Sequence, residues 1–183
     1  MPSLYYLHGF ASHFDITSSK IHTLAKLGSV RGHNIDYTLP AEDVIEDSLD
    51  KLMQVNPDTI VGTSMGGWLA AILAVEAGIP FVALNPVIDP SKTLKHYIGK
   101  GQDYQGSPYE LTPAVVDSYY PIMENGQGLI LVDQGDEVID WRETHEALDG
   151  YYPVQSFPGG SHRFEHMEDA LFLIHEHISG KNP

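Results

Sequence analysis

The sequence contains no cysteine. A disulfide framework, a thiol nucleophile and a thiolate metal centre are therefore all excluded. Cations are also scarce. The 10 Lys and Arg stand against 25 Asp and Glu, for a formal net charge of −15. Binding to phosphate backbones runs on clustered Lys and Arg, so neither nucleic acid nor an anionic membrane surface is an expected partner. No apolar run approaches the roughly 18 residues of a membrane span. Residues 1–8 (MPSLYYLH) lack the basic stretch and long apolar stretch of a secretory signal. A soluble cytoplasmic protein is the expectation. The sequence says nothing of its oligomeric state.

What remains is ordinary globular material. Of 183 residues, 42% are hydrophobic and 19% charged, which suits one domain over residues 1–183 with a real core. Short β-branched or aromatic runs, bounded by Gly, Pro or Asn, predict strands. They lie at Leu4–His8, Asn34–Leu39, Thr59–Thr63, Phe81–Leu84, Leu129–Val132 and Val154–Phe157. Helical patterns fall between them at Ser18–Leu27, Glu42–Val55, Ser64–Ala77, Trp141–Leu148 and His166–Ile178. This alternation predicts an α/β fold, a mostly parallel sheet of about six strands with helices on both faces. Residues 86–128 break the rhythm with repeated Pro, Gly and Tyr and no clear strand. They are expected to form an excursion with short helices near Thr93–Ile98 and Pro113–Tyr119. A surface insertion and a lid over a site fit that composition equally.

The chemistry gathers at the ends of the predicted strands. Gly62-Thr63-Ser64-Met65-Gly66 is a G-x-S-x-G motif. It follows an apolar strand and opens a small-residue helix, the setting of a nucleophile elbow. A P-loop does not fit, because no Gly-Lys-Ser/Thr follows. Serine needs a base, and the base needs an orienting acid. Asp136 follows the fifth predicted strand and His162 the last, in the order Ser, Asp, His and at the sheet edge that also carries Ser64. Asp133 and Asp140 lie near Asp136, but Asp133 reads as the strand end and Asp140 as a helix N-cap. The first strand ends in His8-Gly9-Phe10, so the Phe10 and Met65 amides are the expected oxyanion donors. His8 itself reads as structural. His175 and His177 face apart on a helix, and HRFEH is not H-E-x-x-H, so no metal site is expected.

The pieces YLHGF, GTSMGGWLA, ALNP, QGDEVID and GGSHRF resemble the small α/β-hydrolases of the YqiA/YcfP type, a family of short esterase-like proteins. The likeness runs in order along nearly the whole chain. Two features depart from it. His8 stands where such members often carry Gln, and residues 86–128 align only loosely. The resemblance implies a reduced α/β-hydrolase sheet without the two N-terminal strands. It also implies Ser64, Asp136 and His162 as a catalytic triad.

The expected function is hydrolysis of a small-molecule carboxylic ester or thioester through an acyl-enzyme, without a cofactor. An amidase or a cofactor-free haloperoxidase would use the same three groups. A non-catalytic ligand- or partner-binding protein on the same fold is the alternative, since fold alone does not fix function.

Overall fold

The computed structural model describes residues 1–122 and 125–180; residues 123–124 of the predicted excursion and 181–183 lie outside the described residues. In chain order the elements are β1 (Ser3–Leu7), α1 (Ser19–Leu24), β2 (Ser29–Gly32), α2 (Ala41–Val55), β3 (Thr59–Thr63), α3 (Met65–Ala77) and β4 (Phe81–Leu84). There follow α4 (Pro90–Thr93), a 3₁₀ turn over Leu94–Tyr97, β5 (Gly99–Gln102), β6 (Pro108–Leu111) and α5 (Pro113–Ser118). The chain returns to the sheet with β7 (Gly128–Asp133), α6 (Trp141–Leu148), β8 (Val154–Phe157) and α7 (Met167–Ile178).

Six strands form one sheet in the order β2-β1-β3-β4-β7-β8, with every neighbouring pair parallel. Parallel sheets are covered on both faces, and successive side chains of a strand point to opposite faces. Leu4, Tyr6, Val61, Val82, Leu84 and Leu131 pack with Ile21 and Leu24 of α1 and with Ala170 and Ile174 of α7. Tyr5, Leu7, Ile60, Ala83, Ile130 and Val132 pack on the other side with α2 and α3. Residues Met65 to Ala74 of α3 are all buried, as expected of a helix that is apolar all round. Trp68 closes its outer side: its indole N–H donates to the Tyr120 carbonyl at 2.8 Å, and its ring lies edge-on to Tyr119. Among the described residues no helix is long and apolar enough to cross a membrane.

The second strand lies at Ser29–Gly32, not at the predicted Asn34–Leu39. Val30, buried, pairs with Leu4 in register. The alternation of Ile35 and Tyr37 has another cause. Both are buried against the end of β1, through His8. The Ile35 amide donates to His8 Nε2 at 2.8 Å, and the Tyr37 hydroxyl donates to the His8 carbonyl at 2.8 Å. Asp36 Oδ1 accepts from the Thr38 amide and hydroxyl, an Asx turn that ends any extended run.

The excursion also differs from expectation. It holds an antiparallel hairpin, β5 with β6, besides the short helices. Gly99-Lys100-Gly101-Gln102 shows no apolar alternation, because the hairpin forms a sheet of its own and meets the main core through β6, with Leu111 buried there and Tyr109 packed against it. The strand signal of β5 is backbone pairing alone, which composition does not reveal.

His8 has a fixed protonation state. An amide only donates and a carbonyl only accepts. Nε2 therefore accepts from Ile35, and Nδ1–H donates to the Gly9 carbonyl at 2.7 Å. A second ring proton would meet the Ile35 N–H. Burial, with a smaller push from His13, lowers the His8 pKa to about 4 against the pull of the Gly9 carbonyl. The unfolded chain therefore takes up this proton first, near pH 6.5. Stability fully present above that pH is lost progressively as pH falls through about 4, by about 3 kcal/mol in total. Urea unfolding at pH 7 and pH 4.5 should show a drop that is clearly smaller in His8→Gln, whose amide also donates and accepts but does not titrate. An equal drop in both proteins would assign the acid sensitivity to other groups.

Candidate active site

The β3–α3 junction holds Ser64 at φ 58°, ψ −120°, a conformation that L-residues avoid. Such strain costs of order 1–3 kcal/mol and persists only where the surroundings impose it. Here they do. The Ser64 amide donates to the Leu84 carbonyl at 3.0 Å, and its carbonyl accepts from Gly67, Trp68 and Val87. The flanking glycines are close-approach positions. A Cβ on Gly62 would lie 1.9 Å from the Gly66 oxygen, and one on Gly66 would lie 2.0 Å from the Leu7 oxygen. The turn is thus pressed against the end of β1, and Ser64 projects at the carboxyl edge of the sheet.

The three residues singled out by sequence order come together there. Ser64 Oγ and His162 Nε2 are 2.9 Å apart. His162 Nδ1 lies 3.0 and 2.9 Å from the two oxygens of Asp136. A carboxylate only accepts, so Nδ1–H donates to Asp136 and Nε2 accepts from the serine hydroxyl. The Asp136 side chain is 2% exposed. Its Oδ1 also accepts from the Val138 and Ile139 amides at 2.8 and 2.9 Å, which fixes the carboxylate in its turn. The neighbouring aspartates do other work. Asp140 accepts from the Arg142 amide at the start of α6, and Asp133 turns to His166 at 2.7 Å.

Phe10 and Met65 line the same cavity as Ser64 and His162. Among the described residues neither amide donates within the chain. A Cβ on Gly9 would lie 3.6 Å from Ser64 Oγ, so the Gly9-Phe10 backbone runs directly beside the serine. The loop is gripped by the excursion. The Phe10 ring sits 5.2 Å from the rings of both Tyr97 and Tyr109, and the Tyr104 amide donates to the Ala11 carbonyl at 2.9 Å.

The cavity holds about 1050 Å³. Phe10 and, from the excursion, Leu94, Tyr97, Tyr104 and Tyr109 give it an apolar, aromatic part. Its lining also includes the cations Lys20 and Arg163. Lys20 Nζ donates to Thr63 Oγ1 at 3.2 Å and to the Arg163 carbonyl. Burial lowers its pKa to about 8, partly offset by Asp133.

Sequence reasoning missed several groups around His162. Glu137 accepts from the His162 amide at 3.0 Å, and Asn85 donates to the His162 carbonyl at 3.2 Å. The available signal was positional: Asn85 and Asp133 are polar residues closing apolar strands at the edge that carries Ser64.

Comparison with known proteins agrees with this architecture. The model of a family described as "Uncharacterised protein family (UPF0227)" matches residues 3–178. A UPF0227 protein of Vibrio cholerae is 24% identical over 173 residues, covering 91% of this chain and 93% of the relative. One from Vibrio atlanticus is 26% identical over 172 residues, again with 91% and 93% covered. Among solved structures, Est1E from Butyrivibrio proteoclasticus superposes with a TM-score of 0.73 at 17% identity, covering 98% of this chain and 88% of that one. Mouse alpha/beta hydrolase domain-containing protein 10 gives 0.71 at 15% identity, with 98% and 90% covered. A monoacylglycerol lipase of Paleococcus ferrophilus gives 0.69 at 17% identity, with 98% and 95% covered. The sheet order, the helices on both faces and these likenesses make the fold that of the α/β-hydrolases, and the chain belongs to the UPF0227 family, the YqiA/YcfP family.

Proposed function

We propose that the protein is a serine hydrolase that cleaves a carboxylic ester or thioester through an acyl-enzyme. The observation that carries this reading is the unbroken hydrogen-bonded chain from Ser64 through His162 to Asp136, with the serine held in a strained turn. Ser64 Oγ attacks the carbonyl carbon while His162 Nε2 takes the hydroxyl proton. Asp136 keeps the imidazole in the Nδ1–H tautomer and stabilises the imidazolium that forms. The carbonyl oxygen becomes an oxyanion that the Phe10 and Met65 amides can stabilise, since among the described residues neither donates to another acceptor. Collapse expels the alcohol or thiol, which takes its proton from His162. Water then attacks the acyl-enzyme by the same steps in reverse roles. No cofactor enters the cycle.

The acyl group fits the aromatic side of the cavity, against Phe10, Leu94, Tyr97 and Tyr109. Two structural neighbours lend support by their descriptions: Est1E was solved with ferulic acid bound, and another is a monoacylglycerol lipase.

Ser64→Ala should fold normally, fail to label with a fluorophosphonate probe and lose on the order of 10⁶ in kcat. Asp136→Asn should lower kcat by about 10⁴, because the amide favours the wrong imidazole tautomer. Labelling of the wild type that survives in Ser64→Ala, or turnover above a few per cent there, would overturn the assignment. A wild type that neither labels nor hydrolyses any ester would favour a binding protein.

Charge sets a second expectation. A polyanionic leaving group such as coenzyme A approaches a strongly acidic protein, with a Debye length of about 30 Å at 0.01 M salt. Neutral short-chain esters should therefore show higher kcat/KM than matching acyl-CoA thioesters, with the gap narrowing as salt rises. A preference for acyl-CoA at low salt would locate a basic site at Lys20 and Arg163, or at Lys92, Lys95 and Lys100.

A further inference from the structure

Residues 161–166 carry His162 between β8 and α7, yet almost nothing in regular secondary structure holds them. Within Ser161–Glu165 one backbone bond closes the turn, Phe164 N–H to the Ser161 carbonyl at 2.9 Å. Several of the other polar groups of this backbone bond to side chains. The amides of Ser161 and Glu165 both donate to Asp133 Oδ2, at 3.2 and 2.7 Å. The carbonyls of Ser161 and His162 both accept from Asn85 Nδ2, at 2.8 and 3.2 Å. Asp133 thus takes two of the loop's donors and Asn85 two of its acceptors, while Glu137 accepts from the His162 amide and Lys20 donates to the Arg163 carbonyl.

The two are locked to each other. The Asp133 amide donates to Asn85 Oδ1 at 2.7 Å, and the Asn85 amide donates to the Leu131 carbonyl at 2.9 Å. Asn85 and Asp133 are 1% and 0% exposed. Asn85 stands at φ 44°, a left-handed conformation that asparagine tolerates better than most residues. The far oxygen of Asp133 accepts from His166 Nδ1 at 2.7 Å, and the His166 ring stacks on Phe157 at 5.2 Å. A second aspartate–histidine couple therefore stands beside the loop, with Asp133 at the end of β7 and His166 at the start of α7.

We propose that Asn85 and Asp133 are positioning residues for His162: together they set the loop so that the imidazole reaches Ser64 and Asp136 at once. This rests on the hydrolase reading for its effect on turnover, but not for its effect on the imidazole. His162 must satisfy bonds of about 3 Å at both nitrogens. A misplacement of about 1 Å in such an arrangement costs roughly 10²-fold in rate. Loss of the Asp133 carboxylate leaves two amides of the loop without their acceptor. Exchange of Asn85 for aspartate sets a carboxylate against two carbonyls.

The test compares Asp133→Ala, Asn85→Asp and the conservative Asp133→Asn with the wild type. In Asp133→Asn the amide oxygen still accepts from Ser161 and Glu165, while the amide nitrogen donates to the other tautomer of His166. Two readouts are taken: kcat and KM on a short-chain ester, and the downfield proton signal of His162 Nδ1–H, assigned by its loss in His162→Gln. Asp133→Ala and Asn85→Asp should lower kcat about 100-fold with KM little changed, and should broaden or abolish the His162 signal although Asp136 is intact. Asp133→Asn should keep the signal and stay within about tenfold of wild-type kcat. If Asp133→Ala does not fold, Asn85→Asp and Asp133→Asn carry the comparison. A sharp, unshifted His162 signal with wild-type kcat in a folded Asn85→Asp protein would overturn the proposal. Loss of the signal in an enzyme whose turnover is indifferent to Ser64→Ala would instead uphold the positioning role and overturn the hydrolase reading.

Discussion

The close approach of the β3–α3 turn to the end of β1 is the constraint on which the rest depends. It leaves no room for a side chain at Gly66, as the tightness of the turn itself leaves none at Gly62. It fixes the strained backbone of Ser64, and it brings the Gly9-Phe10 loop beside the serine hydroxyl. Sheet order makes the approach possible. The chain leaves β1 for one edge to form β2, then crosses back to place β3 on the other side of β1. The carboxyl ends of β1 and β3 therefore border a crevice where the connections part, the place where open parallel sheets bind ligands.

Polar groups around this crevice are arranged by donor and acceptor count rather than by charge pairing. His8 is neutral and spends both ring nitrogens on backbone groups. Asp136 accepts from two amides as well as from His162. Asn85 and Asp133 do the same for the loop opposite. A buried polar group left unpaired costs about 1–3 kcal/mol, so each of these bonds constrains the geometry as much as it stabilises the fold. The strong net negative charge plays little part in this. It is carried largely by exposed carboxylates, and ion pairs such as Lys26 with Glu168 and Lys51 with Asp47 are surface contacts of small worth.

Much of this was legible from the residues. Strands buried on both faces read as short continuous apolar runs, so β1, β3, β4 and β7 were found by composition. The glycine spacing about Ser64 and the order of Asp136 and His162 pointed to one edge of one sheet, and the structure brings the three within hydrogen-bonding reach. Where the reading failed, the signal was genuinely absent or shared. Ile35 and Tyr37 alternate like a strand because they pack on His8, and burial against a loop leaves the same pattern as burial against a sheet. β5, with its glycines, has no apolar face to announce it, and the two apolar positions of β6, Tyr109 and Leu111, are too few to read as a strand. The role of Asn85 is not legible at all, because a side chain bonding to a backbone distant by more than seventy positions leaves no local trace.

The separate sheet of β5 and β6 has a consequence for how this scaffold changes over time. The hairpin pairs only with itself, and it meets the rest of the chain around Phe10 and Ala11 and through Leu111, which is buried in the main core. Its length and sequence are thus uncoupled from the hydrogen-bond register of the main sheet. Insertions, deletions and exchanges there reshape one wall of the cavity and leave the other wall, with Ser64 and His162, where it was. Selection for a new ligand has there a set of exposed positions that can change without disturbing the main sheet, and divergence among relatives is expected to concentrate at them rather than at the buried Leu111.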